Sequence, residues 1–160
     1  MSTRDGDGWV QCECGKKHWG LHGAAGILLV RDNEILLQHR APWVHNGDTW
    51  GIPGGARDSH ETVIEAAIRE AIEETGINPQ FVSALQIFSD DHGNWRYDTV
   101  IARAGYELIA HEVNDESHEV RWVDISDVST LNLHPSFARS WPALTTILQS
   151  EIQKNTTREL

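Results

Sequence analysis

The segment from Thr62 to Thr75 constrains the fold more than any other part of the chain. Val63, Ala66, Ala67, Ala71 and Ile72 recur at helical spacing, and Gly76 stands where a left-handed terminator is needed. The spacing predicts an amphipathic helix whose apolar stripe must lie on another element, with Asp58 and Glu61 as a capping box ahead of it. Glu70, Glu73 and Glu74 fall at i, i+3 and i+4, so three carboxylates project from one face within one turn. They repel one another by about 0.2–0.5 kcal/mol per pair and lie near the negative end of the helix dipole. A compensating cation is the natural remedy, and hard oxygen donors at this density suit Mg²⁺ or Mn²⁺. A solvated acidic face is the competing reading for such a triplet taken alone.

The elements around this helix read as strands. Ala24–Val30 and Ile35–Arg40 flank the polar turn Arg31–Glu34, which makes a hairpin. Thr49–Ile52 is a short run that stops at Pro53-Gly54-Gly55, where the glycines allow main chain to approach a ligand or metal closely. Further strands are expected at 81–88, 97–104, 106–110 and 120–125, and a terminal helix at 135–153 with Pro142 near its first turn. Strands around two helices make the class α/β or α+β. The chain's 160 residues suit one domain over 1–160, with 1–8 and 154–160 read as frayed ends because they are polar and unpatterned.

The glycine turn and the helix together resemble a known signature. From Gly55 to Ile77 the sequence is similar to the Nudix box, GX5EX7REUXEEXGU, with Gly55, Glu61, Arg69, Glu70, Glu73, Glu74, Gly76 and Ile77 in register. Ala71 departs from the pattern, since the family more often has a bulkier aliphatic there, which bears on packing beneath the helix rather than on chemistry. The resemblance implies an α/β/α sandwich with a mixed sheet, in which the box forms a loop–helix–loop. It also implies that Glu70, Glu73, Glu74 and the carbonyl of Gly55 hold Mg²⁺, and that Arg69 orients a glutamate by ion pairing, with Glu61 as its structural partner.

A carboxylate-held cation suits cleavage of a phosphoanhydride by water, with no covalent Ser or Cys nucleophile. The family draws its general base from the box or from a later loop. Here the later candidates are Glu116 and Glu119, and Glu116 is preferred because it stands six residues ahead of Trp122, as in MutT-type members. Family marks for ADP-ribose and NADH hydrolysis are missing, and Tyr97 lies beyond the spacing expected for dinucleoside polyphosphates. By elimination the resemblance implies a MutT-type nucleoside triphosphate pyrophosphohydrolase releasing a monophosphate and pyrophosphate. A nucleotide-sugar or dinucleotide pyrophosphatase, or a nucleotide-sensing module without turnover, is the alternative. Trp43, Trp95 or Tyr97 would stack on a base and Arg40 would meet a phosphate, although packing is the commoner role for tryptophan.

Charge narrows the partners. With 13 Lys+Arg against 24 Asp+Glu the formal charge is −11, the wrong sign for tracking duplex nucleic acid. No apolar run is long enough to cross a bilayer and no leader is apparent, so a cytoplasmic protein is expected, and a homodimer is compatible with the sequence. Cys12 and Cys14 with His18 and His22 offer four soft ligands, so zinc is conceivable. Their C-x-C spacing departs from the usual C-x₂₋₄-C of structural sites, and a small packed turn is the expectation.

Overall fold

A computed structural model describes residues 4–113 and 117–159. A small hairpin comes first, β1 (Trp9–Gln11) paired antiparallel with β2 (Lys17–Trp19). The main sheet then collects, among the described residues, β3 (Ala24–Arg31), β4 (Glu34–Arg40), β5 (Trp50–Gly51), β6 (Gly54–Ala56), β7 (Val82–Asp91), β8 (Arg96–Ala104) and β9 (Ser117–Asp124). Among the described strands β3 and β8 pair in parallel and the other strand pairings are antiparallel, so the sheet is mixed. Helix α1 (Val63–Thr75) lies between β6 and β7, and α2 (Pro135–Glu159) follows β9.

Strand β3 shows why the sheet has a helix on each side. Alternate side chains point to opposite faces. Ala25, Ile27 and Leu29 pack with Ala66, Ala67 and Ala71 of α1, whereas Leu28 and Val30 pack with Phe137, Trp141, Leu144 and Leu148 of α2. The continuous apolar run of β3 is the pattern of a strand covered on both faces. The result is an α/β/α sandwich. Ala71 has no solvent exposure, and the small residues beneath α1 let the helix sit close to β3.

Several details depart from the sequence expectations. Thr62, not Asp58, caps α1: its side chain accepts from the Glu65 N–H while Glu65 reaches back to the Thr62 N–H. Asp58 is instead buried, accepting from the Gly6 N–H at 2.9 Å. Gly76 does terminate the helix, at φ 67°. The segment Tyr106–Ala110 is not a strand. It turns so that Leu108 is buried in the core while the carbonyls of Gly105 and Leu108 accept from Arg31 Nη1, and Tyr106 and Ile109 stay exposed. Pro142 lies inside α2, which opens with Pro135. Residues 4–8 are docked rather than loose: Leu21 N–H donates to the Gly6 carbonyl and Gly20 N–H to that of Gly8, each at 2.7 Å. Among the described residues no helix is long and apolar enough to cross a membrane.

The start of α2 is tied to β5 by the His134 N–H, which donates to the Trp50 carbonyl at 2.8 Å. The His134 ring is held well below its ordinary 6.5, down to about 4, chiefly by burial and then by the charges of Arg40, His45 and Arg139. Between these values the unfolded chain binds a proton that the folded chain refuses, so stability falls as pH drops from about 6.5 to about 4. Thermal melts across that window should show a loss of Tm that His134→Gln reduces by at least about 3 °C. Parallel losses in both proteins would assign the acid sensitivity elsewhere.

Candidate active site

The glycine turn meets the carboxylate face of α1 where β6 pairs with β3. A Cβ at Gly55 would stand 2.6 Å from Glu70 Cδ, so only glycine lets this strand lie against the carboxylate. The Gly54 N–H donates to Glu74 Oε2 at 2.9 Å. Glu70 and Glu74 are both buried, while Glu73 is open to solvent. Burial raises the Glu70 carboxyl above the usual range, partly offset by the hydrogen bond and charge of Arg69.

Arg69 organises the surrounding loop. Its Nε and Nη2 form a fork on Glu61, at 2.6 and 2.9 Å, and Nη2 also donates to the Ala56 carbonyl at 2.9 Å. Its Nη1 donates to Glu70 Oε1 at 2.9 Å and lies 3.4 Å from Glu73 Oε1. The fork lowers the Glu61 carboxyl and raises Arg69, so both remain ionised.

A second cation arrives from the other end of the chain. Arg4 Nε pairs with buried Asp58 at 2.8 Å, while Nη2 lies 3.6 Å from Glu70 Oε1 and Nη1 3.3 Å from Glu73 Oε1. The repulsion expected among the glutamates is therefore relieved by two guanidinium groups. Arg4 shows that this face draws in a positive charge, and the all-oxygen donors on it suit a hard divalent cation. No sequence motif points to Arg4, because its partners in the site, Asp58, Glu70 and Glu73, lie more than fifty residues away and are reached through the docked N-terminal segment.

The remaining candidates are dispersed. The Tyr97 hydroxyl sits under the glycines, where a Cβ on Gly54 would come within 2.6 Å of it, and burial followed by the charges of Glu74 and Glu70 raises its pKa. Trp43 is 69% exposed in the turn after β4. Arg40 Nε donates to the His45 carbonyl at 3.0 Å. Trp95 is stacked on His18 at 4.1 Å and donates to the Gly20 carbonyl, so its ring is used in packing the β1–β2 hairpin. Glu116 lies outside the described residues. Glu119 pairs with Arg121 at 2.8 Å.

Because Arg69 alone joins Glu61, Ala56 and Glu70, Arg69→Gln should lower stability by about 2–3 kcal/mol. That is below a fully buried pair, since a fifth of the Arg69 side chain remains in solvent. Arg69→Lys should recover less than half, as an ammonium cannot span the three acceptors. Urea unfolding of the three proteins tests this, and an unchanged midpoint in Arg69→Gln would contradict it.

Comparisons with known proteins identify the family. The NUDIX domain family matches residues 20–144. A Mycobacterium tuberculosis protein provisionally named 8-oxo-dGTP diphosphatase 3 is 47% identical over 153 residues, covering 89% of this chain and 70% of its own. A nucleoside triphosphate pyrophosphatase/Nudix hydrolase fusion protein of Bifidobacterium longum is 44% identical over 146 residues, covering 86% of this chain, which spans only 30% of that larger protein. The crystal structure of RenU, a Nudix hydrolase from M. smegmatis, superposes with a TM-score of 0.83 at 44% identity, covering 91% of this chain and 96% of RenU. Family match, sequence similarity and superposition agree on family and fold, and the chain belongs to the Nudix hydrolases.

Proposed function

We propose that this hydrolase is a Mg²⁺-dependent nucleoside triphosphate pyrophosphohydrolase that releases a nucleoside monophosphate and pyrophosphate, with oxidised deoxyguanosine triphosphate as the first substrate to test. The observation that carries the reading is the arrangement of the box glutamates. Glu70 and Glu74 are held by Arg69 and the Gly54 N–H beside Gly55, with Glu73 open to solvent. The substrate choice is supported by the name of the M. tuberculosis relative.

Glu70, Glu73, Glu74 and the Gly55 carbonyl would hold Mg²⁺, or Mn²⁺ in its place, which would supply the positive charge that phosphoanhydride cleavage needs. Arg69 keeps Glu70 from swinging out of place, because its own position is set by the Glu61 fork and the Ala56 carbonyl. Arg4 is half-exposed and meets Glu73 at the solvent side, so its Nη1 can give way to a cation and polyphosphate while Nε stays on buried Asp58. Glu116 takes the proton from the attacking water. Trp43, the most exposed of the stacking candidates, meets the base, and Arg40 a phosphate.

Glu70→Gln and Glu74→Gln should each lower kcat by at least about 10²-fold with the fold intact, since each removes charge at the cation with little change in volume. Glu116→Gln should match them if it is the base, and be milder if a box glutamate takes the proton. A panel of 8-oxo-dGTP, dGTP, ADP-ribose and diadenosine tetraphosphate with Mg²⁺, resolving released pyrophosphate from monophosphates, checks the reaction. Turnover of ADP-ribose or the dinucleotide in preference to every triphosphate would replace the triphosphate reading.

A further inference from the structure

We propose that Cys12, Cys14, His18 and His92 form a structural zinc site, separate from the carboxylate centre, that fastens the β1–β2 hairpin to the turn between β7 and β8. One ligand atom from each of these residues lies within 4.8 Å of all the others. A tetrahedral zinc with two sulfur and two nitrogen ligands needs them about 3.3–3.8 Å apart, so modest side-chain adjustments close the site. The His22 ring, the fourth ligand suggested by sequence spacing, is instead 3.7 Å from Asp5, and His92 takes its place from a segment eighty residues away.

The backbone prepares this cluster. Between β1 and β2 the chain turns tightly, with Cys12 N–H donating to the Lys16 carbonyl and Gly15 N–H to the Cys12 carbonyl, and Gly15 at φ 93°. This short turn compensates for the C-x-C spacing by bringing the Cys14 N–H to within 3.4 Å of Cys12 Sγ. Cys14 Sγ lies 3.1 Å from His18 Nε2.

The second half of the site is delivered by Asn94. Its Oδ1 accepts from the Glu13 N–H at 2.8 Å and its Nδ2 donates to the Gln11 carbonyl at 3.1 Å, clamping the β7–β8 turn onto the hairpin. His92 Nε2 faces Asp90 Oδ2 at 3.0 Å, leaving Nδ1 for the metal. A carboxylate behind a ligating imidazole fixes its tautomer and orientation. Trp95 stacks flat on His18 at 4.1 Å and screens that ligand. Cys12 is 4% exposed and Cys14 lies at the surface, so a metal could enter from the Cys14 side. Two thiolates and two imidazoles in a tetrahedron are a donor set for zinc, unlike the all-oxygen face of α1. Loading would replace the Cys12 thiol proton and the proton shared by Cys14 and His18. The two cysteines and His18 precede residues 20–144, the span matched by the family, whereas His92 lies within it, so the site would join the hairpin to the family domain.

Protein expressed with zinc and purified under reducing conditions without chelator should carry about one zinc per chain by mass spectrometry of the metal. His92→Gln and the double variant Cys12→Ser, Cys14→Ser should lose it, His22→Gln should keep it, and Asp90→Asn should bind zinc at least about tenfold more weakly. Cobalt(II) should give thiolate charge-transfer and intense tetrahedral bands with wild type and with Glu70→Gln alike, which separates this site from the carboxylate centre whatever the hydrolytic activity proves to be. The cobalt spectrum of wild type decides the matter even if a variant fails to fold. Zinc retained by the double cysteine variant, a cobalt spectrum without thiolate bands, or two reduced thiols with no zinc after equimolar addition and desalting would each overturn the proposal.

Discussion

The guanidinium of Arg69 is the interaction on which the site depends. A loop of glycines and polar residues could not hold its shape beside a buried carboxylate by apolar packing. The fork on Glu61, the bond to the Ala56 carbonyl and the bond to Glu70 hold three separate stretches of chain to one rigid plane. Removing Arg69 would strip the nearest cation from the largely buried side chains of Glu61 and Glu70 together, which costs far more than an exposed ion pair contributes. The Gly54 N–H then positions Glu74 on the same surface. Three carboxylates on one turn of helix repel one another, and here arginine supplies the charge that keeps the face intact.

The sandwich provides the stiffness behind that face. Strand β3 lies between both cores, with one set of alternate residues under α1 and the other under α2. Its register with β6 places Ala25 opposite Gly55, so the glycine strand is carried by the most buried strand of the sheet. Small residues on α1 and on β3 bring helix and sheet close together, and this fixes the height of Glu70 above Gly55. The departure at Ala71 from the bulkier aliphatic of the family is accommodated in the same way, by a helix seated close to the sheet.

The N-terminal segment connects both charged centres. Residues 4–8 run along the box loop, where Arg4 and Gly6 both meet Asp58. The hairpin that follows rests on Trp95 and His92. A metal in the cysteine cluster would restrain the chain immediately after the segment that carries Arg4. Arg4 thus occupies the cation-attracting face while its own backbone is anchored by hydrogen bonds on one side and a proposed metal site on the other.

The box helix, its glycine terminator, the β3–β4 hairpin and the carboxylate triplet were legible in the sequence because each is written in local spacing: period 3.6 for α1, alternating or continuous apolar runs for strands, glycine at a turn. Local signals are weaker where two readings compete. Thr62–Glu65 and Asp58–Glu61 both spell a capping box, and burial of Asp58 against Gly6 and Arg4 decided between them. Tyr106–Ala110 has the composition of a strand, but burying Leu108 while satisfying Arg31 favoured a turn. Sequence alone determined that three carboxylates share one face of α1 and that the long apolar runs become helix or strand, since those properties belong to neighbouring side chains. Only the tertiary structure decided that Arg4 would face Glu73 and that His92, rather than His22, would join the cysteines, because both pairings are set by sheet register and chain docking across many tens of residues.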